Sequence, residues 1–222
     1  KLDEKPQSKK GRKVAYFAGC TARYLFPDVP KAAIEILERN DISVYYPEQN
    51  CCGMPSMLEG DRKLTLTFAE RTITQLAEVV EGGYDVVCSC PTCGYMLKYA
   101  LRECAYYSNE YQDLAGGDDR HMKIPEKVPF KGSSIDKSKV SAGSKAALGK
   151  HNKTQETVNF EYALNGSCKM AEHRVLDKSI YGEILKDNGY FSVIDPLKRI
   201  KVAENTYDLG EYLLDLRAYN QK

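Results

Sequence analysis

Tyr84-Asp85-Val86-Val87-Cys88-Ser89-Cys90-Pro91-Thr92-Cys93, residues 84–93, is the stretch from which the rest of the chain can be read. Tyr84 to Val87 is a short apolar run of strand type. It ends in a cysteine-rich turn, and Pro91 suits the first turn of a helix that continues through Leu97 and Leu101. The same unit occurs twice upstream. Val14 to Ala18 has a buried-strand pattern and runs into Gly19-Cys20. Ile42 to Tyr46, stopped by Pro47, is followed by Cys51-Cys52-Gly53. Each of three predicted strands therefore delivers thiols at its end.

The intervening segments read as helices. Pro30 lies near a helix start, Ala33, Ile34 and Leu37 form an apolar stripe, and Asn40 is expected to close that helix in a left-handed conformation. A longer helix follows, capped by Gly60-Asp61, with Leu64, Phe68, Ile73, Leu76, Ala77 and Val80 on its apolar face and Gly82-Gly83 ending it. Alternating strands and helices predict an α/β fold, an open, mainly parallel, Rossmann-like sheet with flanking helices and right-handed crossovers. Ligands of such sheets bind beyond the carboxyl ends of the strands. Cys20, Cys51, Cys52, Cys90 and Cys93 should thus converge on one edge.

Composition sets the bounds. Lys+Arg 32 against Asp+Glu 31 leaves a net charge of +1, so charge makes no case for nucleic acid or an anionic membrane. The 28% charged and 42% hydrophobic fractions are those of an ordinary globular protein, and no apolar run is long enough to span a bilayer. Eight cysteines without a secretory h-region favour metal or redox use over a disulfide framework, and predict a cytoplasmic chain. Residues 1–12 are a polar run that reads as a linker, as if the chain were a piece of something longer.

Residues 13–104 form the predicted cysteine-rich domain. Residues 105–158 lose all periodicity and read as a loop-rich insertion, with a Lys/Ser/Gly-rich run from Lys131 to Lys153. Residues 159–222 read as a smaller C-terminal α/β segment: a strand at Phe160 to Leu164, a helix at Ser179 to Leu185, a strand at Tyr190 to Ile194, and a closing helix from Tyr207 to Leu216 capped by Asp208. A shift of 148 positions lays Cys20 on Cys168 and Glu35-Ile36-Leu37 on Glu183-Ile184-Leu185. The segment is thus a candidate degenerate second copy, although coincidence between two βα units explains the match as well.

Thiolates hold iron–sulfur clusters and also suit zinc. A CxxC at a helix start is a two-point clamp whose free amides favour thiolate charge. Adjacent cysteines in a regular strand would point to opposite faces, so Cys51 and Cys52 must lie on an irregular turn, for which Gly53 supplies backbone freedom. Five sulfur donors exceed the four of tetrahedral zinc. Cys88, two residues before Cys90, is a further candidate, since strand geometry places both on one face. Cys104 reads as a core residue at a helix end and Cys168 as a buried thiol. His121, His151 and His173 read as solvated.

Phe17-Ala18-Gly19-Cys20, Asn50-Cys51-Cys52-Gly53-Met54-Pro55 and Ser89-Cys90-Pro91-Thr92-Cys93-Gly94 together resemble the cysteine-rich CCG domain family. That family includes the B subunit of heterodisulfide reductase and the C subunit of anaerobic glycerol-3-phosphate dehydrogenase. The segment from Arg199 to Leu213 is similar to one that follows the first motif in the latter type. The resemblance implies a [4Fe-4S] cluster, cubane or non-cubane, on Cys20, Cys51, Cys52, Cys90 and Cys93. It further implies an electron-transfer role beside a flavin-containing dehydrogenase subunit or a ferredoxin-type domain, toward a quinone or disulfide acceptor. Such partners would place the chain in the cytoplasm, or peripherally at the inner face of the membrane. Some members hold zinc, so a zinc scaffold is the alternative, and a thiol–disulfide enzyme using Cys90 and Cys93 a weaker one. No GxGxxG follows a predicted strand, so substrate chemistry is expected on another subunit.

Overall fold

The computed structural model describes residues 12–125, 157–163 and 168–220. The chain opens with strand β1 (Lys13–Phe17), a short helix α1 (Gly19–Tyr24) and helix α2 (Asp28–Arg39). Asn40 does not take the left-handed conformation expected of it. It stays at φ −98° and donates its side-chain amide to Ile36 O at 2.8 Å, and Asp41 makes the left-handed step at φ +60°. Short polar residues tolerate that region better than most.

Strand β2 (Ser43–Tyr45), helix α3 (Met54–Leu58) and the long helix α4 (Arg62–Glu81) follow. Asp61 caps α4, its Oδ1 accepting from Leu64 N at 2.9 Å. Leu64, placed on the apolar face by its spacing, is exposed; Thr65 and Thr72 are buried instead. Both can be, because each hydroxyl has a partner: Thr65 Oγ1 donates to Asp61 O at 2.7 Å and Thr72 Oγ1 to Cys51 O at 3.0 Å. Strand β3 (Asp85–Cys88) leads into α5 (Pro91–Tyr95), which continues as a π-turn over Met96–Ala100.

Beyond this point the sequence is less legible. The region expected to be unstructured contains a 3-10 turn (Ala105–Tyr107), helix α6 (Asn109–Leu114) and strand β4 (His121–Pro125); its Lys131–Lys153 run and His151 lie outside the described residues. Strand β5 (Thr157–Ala163) matches an expected strand, but its partner β6 (Cys168–Asp177) has no counterpart among the expected elements. The expected helix from Ser179 is a single turn, α7 (Lys178–Tyr181). Tyr190 to Ile194 is turn rather than strand. Phe191 and Ile194 are buried by packing, and the Ile194 carbonyl is satisfied by a side chain, Arg199 Nε at 2.9 Å. Helix α8 (Pro196–Glu204), strand β7 (Thr206–Asp208) and helix α9 (Leu209–Asn220) close the chain, with Asp208 Oδ1 accepting from Gly210 N at 2.8 Å.

Four strands form one parallel sheet in the order β2-β1-β3-β7, and β4-β6-β5 form a separate antiparallel sheet. Alternation along β1 feeds two cores. Val14, Tyr16 and Ala18 pack with Ala33 and Leu37 of α2 and with Tyr212 and Leu216 of α9. Phe17, with Val86 and Cys88 of β3, packs instead against Ile73, Leu76 and Val80 of α4, Met96 and Leu97 of the π-turn, and Val202 of α8. Helices therefore cover both faces. Because β1 and β3 are neighbours while β2 lies outside β1, the connection direction reverses between β1 and β3. That reversal marks the crevice where such sheets bind ligands.

Among the described residues, Arg199 of α8 is the largest fully buried side chain. Besides Ile194 O, it donates to Leu101 O and Glu103 O, each at 3.2 Å, and pairs with Asp187. These contacts fasten the C-terminal segment to the end of the π-turn. Arg199→Met is expected to cost about 3–5 kcal/mol, because it strands the Asp187 carboxylate and three carbonyls away from water. The urea unfolding midpoint, with the slope unchanged, measures that loss.

Candidate metal or cluster centre

Five of the seven described thiols fall beyond the ends of the first three strands. Cys20 lies in the first turn of α1 after β1, Cys51 and Cys52 lie in the loop between β2 and α3, Cys90 immediately precedes α5 after β3, and Cys93 lies within α5. Four of them touch in a row. Cys20 Sγ is 3.7 Å from Cys51 Sγ, Cys51 contacts Cys52, and Cys52 contacts Cys93. The neighbouring cysteines thus reach in different directions, Cys51 to the strand-one thiol and Cys52 inward to the strand-three thiol. Gly53 makes this possible at φ +93°, and its N–H donates back to Cys51 Sγ at 3.5 Å.

Cys90 is half-buried at the start of the helix that carries Cys93, and interacts electrostatically with Cys88 and Tyr16. Cys88 is fully buried beneath the row and donates to Tyr207 O at 3.5 Å. Cys104 is half-buried at φ +62°, away from the row. Cys168 begins an antiparallel strand whereas Cys20 lies in a helix, so the 148-residue shift superposes unlike positions. His121 is exposed and bonded to Asp118, as a solvated residue would be. His173 is not solvated: it is fully buried and shares a 2.9 Å hydrogen bond with Tyr111 Oη.

Residues other than the cysteines, several of them outside the quoted motifs, hold the thiol-bearing loops in place. Gln49 Oε1 accepts from Ala18 N at 2.9 Å and Gln49 Nε2 donates to Tyr16 O at 2.8 Å. Asn50 Nδ2 donates to Gln75 Oε1 at 3.0 Å, and Thr72 fixes the Cys51 carbonyl, so α4 grips the loop from the other side. Tyr16 Oη and Ser89 Oγ share a 2.6 Å hydrogen bond beside Cys90. Asn50 and Ser89 lie inside the quoted motifs, as does Gly19, the glycine before Cys20. Gly19 has φ +75°, and a Cβ there would lie 2.7 Å from Cys93 Sγ. That missing side chain is what lets the strand-three sulfur lie against the end of strand one.

The electrostatics favour protonated thiols until a cation arrives. The hydrogen bond with Cys52 and burial both raise Cys51 well above an ordinary thiol. For Cys52 the Cys51 contact lowers the value, but contact with Cys93 and burial push it up to about 12. Burial, then Cys51, raises Cys20, and burial takes Cys88 to about 12. Crowded, buried sulfurs of this kind repel a second negative charge, and a bound cation removes that cost. Among the described residues, no three His, Cys, Asp or Glu side chains surround one point as ligands of a single ion would. A pocket of about 270 Å³ opens on Cys20 and Cys51, walled by Arg23, Tyr24, Gln49, Asn50 and Phe68.

Parts of this chain are similar to known proteins. Lactate utilization protein A of Shouchella clausii is 34% identical over 119 residues, 53% of this chain and 44% of that protein. The B subunit of the fumarate reductase (CoM/CoB) of Methanothermobacter marburgensis is 32% identical over 90 residues, 40% of this chain and 17% of that one. An uncharacterized iron-sulfur protein of Methanococcus maripaludis is 28% identical over 92 residues, 41% of this chain and 18% of its own length. The chain thus spans less than half the length of each of these relatives. No solved structure matches it significantly. Residues 14–98, from β1 into the π-turn, match the model of the cysteine-rich CCG domain family, and they include the three strand ends that present their thiols.

Proposed function

We propose that this chain is an iron–sulfur electron-transfer domain or subunit of a larger oxidoreductase, in which Cys20, Cys51, Cys52, Cys90 and Cys93 hold a [4Fe-4S] cluster, cubane or non-cubane. The observation that carries the reading is the row of thiols drawn from three strand ends to one rim, with Gly19 leaving room for the Cys93 sulfur. When bound, such a cluster supplies one-electron transfer. The chain's own part is to hold the sulfurs, to bury Cys52 and Cys93 away from water, and to leave Cys20, Cys51 and Cys90 nearer the surface.

Electrons would arrive from a flavin-containing dehydrogenase subunit or a ferredoxin-type domain and leave toward a quinone or disulfide acceptor. The names of two relatives, a lactate utilization protein and a component of a CoM/CoB fumarate reductase, support that setting. Tyr24, Leu25 and Phe26, exposed at and just after the end of the helix that carries Cys20, offer an apolar face next to the thiol pocket. Among the described residues no helix is long and apolar enough to cross a membrane; we place the protein in the cytoplasm, or at the inner membrane face through its partners. A zinc scaffold is the second reading. The 3.7 Å between Cys20 and Cys51 equals the edge, about 3.8 Å, of a sulfur tetrahedron with zinc at its centre.

Protein purified without oxygen is expected to carry about four iron and four acid-labile sulfide per chain and to give an EPR signal in one of its redox states. Cys51→Ser should remove both. Stoichiometric zinc without iron, and no redox change, would establish the zinc reading in its place. A glycine pair tests the geometry. Gly19→Ala brings a Cβ against the Cys93 sulfur, whereas Gly83→Ala, at φ +82° with nothing within 4 Å, adds only backbone strain. Gly83→Ala should lose about 1–2 kcal/mol of stability and Gly19→Ala more than that, and only Gly19→Ala should also lose iron.

A further inference from the structure

We propose that Gln49 is a positioning residue for the thiol rim, its side-chain amide acting as the last rung of the parallel sheet and setting how closely Cys51 approaches Cys20. Backbone pairing of β1 with β2 ends at Ala15 opposite Tyr45. Beyond that point Tyr16 O and Ala18 N have no β2 backbone opposite them. In a parallel ladder, a partner residue donates to the carbonyl before, and accepts from the N–H after, the residue it faces. Gln49 does both, with its amide in place of a peptide: Nε2 to Tyr16 O at 2.8 Å, and Oε1 from Ala18 N at 2.9 Å, on either side of Phe17. The Gln49 carbonyl in turn accepts from Arg23 Nη1 at 3.2 Å, which ties the same residue to the helix that carries Cys20.

The joint is symmetric about the sulfurs. Cys20 lies two residues past Ala18 and Cys51 two residues past Gln49, so the joint fixes both chains just before their thiols. Glycine or serine could turn the loop at this position. Neither offers a donor and an acceptor in one planar group at the end of a side chain long enough to reach β1. Gln112 shows the same device elsewhere. Its amide accepts from Lys123 N at 2.8 Å and donates to Lys123 O at 3.0 Å, along β4 and far from the thiols.

The significance for a bound cluster rests on the function proposed above; the spacing of the two thiols does not, and can be read in the metal-free protein. Diamide takes two electrons and two protons from the Cys20 and Cys51 thiols, forming their Sγ–Sγ bond and leaving as its hydrazine. The rate of that bond's appearance, followed by peptide mapping in metal-free protein, reports how well the sulfurs are juxtaposed. Gln49→Ala and Gln49→Leu should slow it about tenfold or more, the scale expected for reacting groups displaced by a fraction of an ångström to an ångström. Gln49→Glu keeps the acceptor for Ala18 N and should fall between. Glu48→Ala, exposed on the same loop, and Gln112→Ala should react at the unaltered rate. Should Gln49→Ala not fold, Gln49→Glu carries the comparison. An unaltered rate in the folded Gln49 variants, or equal slowing by Gln112→Ala, overturns the assignment. Unmutated protein that binds no iron would instead sink the cluster reading and leave this comparison standing.

Discussion

The register of β1 against β3 is the constraint on which the thiol rim depends. These neighbouring parallel strands pair Val14 with Asp85 and Phe17 with Cys88. Their carboxyl ends therefore finish level. Cys20 follows three residues beyond the last pair on one strand and Cys90 two residues beyond it on the other. A slip of one residue would turn every side chain of β3 to the opposite face. Val86 and Cys88 would leave the α4 and π-turn core, and Val87 would leave the α2 and α9 core. Two separate cores thus oppose the same slip, and the position of the sulfurs follows from the packing of residues that carry no chemistry.

The C-terminal half is fastened differently. Its contacts with the parallel sheet include apolar ones such as Phe191, Ile194 and Val202, but buried polar groups decide where it sits. Arg199 collects three backbone carbonyls and Asp187; Tyr106 Oη donates to Glu204 Oε1 at 3.1 Å; Tyr111 and His173 share a hydrogen bond between α6 and β6. Directional groups of this kind contribute little net stability each, yet penalise every arrangement that leaves one unpaired. Strand β7 then extends the parallel sheet beyond β3, and its Tyr207 carbonyl occupies the Cys88 thiol. The C-terminal segment therefore helps to set the floor of the thiol site although it supplies none of the five sulfurs assigned to it.

What the sequence discloses follows the same division. Strands β1 to β3 and their helices are legible because local apolar runs, caps such as Asp61 and the glycines at 82–83 all agree with the final packing. The thiol positions are legible because each cysteine group follows one of those runs. Strand β6 is not, since its identity comes from antiparallel pairing on both sides rather than from its own alternation. The Tyr190–Ile194 run misleads for the opposite reason: its apolar residues are buried by tertiary contact, and its Ile194 carbonyl is met by Arg199 instead of a ladder. His173 reads as solvated because a single histidine carries no sign of the Tyr111 hydroxyl that satisfies it. Gln49 is the clearest case. Nothing distinguishes it in sequence from Gln7 or Gln155, and its role exists only once β1 is in place.

The adjacent cysteines then have a geometric explanation. Strand β2 is the edge strand beyond β1, so its loop must cross the end of β1 to meet thiols delivered by β3. A single cysteine there could touch Cys20 or Cys93, because the end of β1 lies between them. Two successive residues on an irregular turn touch both, Cys51 on the near side and Cys52 on the far, buried side. The crossing is held at three points: by Gln49 on β1, by Thr72 and Gln75 on α4, and by Gly53, whose positive φ turns the chain down into α3. Spacing the pair by two or three residues, as structural zinc sites do, would favour a compact clamp around one ion. Adjacency across a strand end instead lines the sulfurs up along the rim, with Cys51 against Cys20 and Cys52 against Cys93.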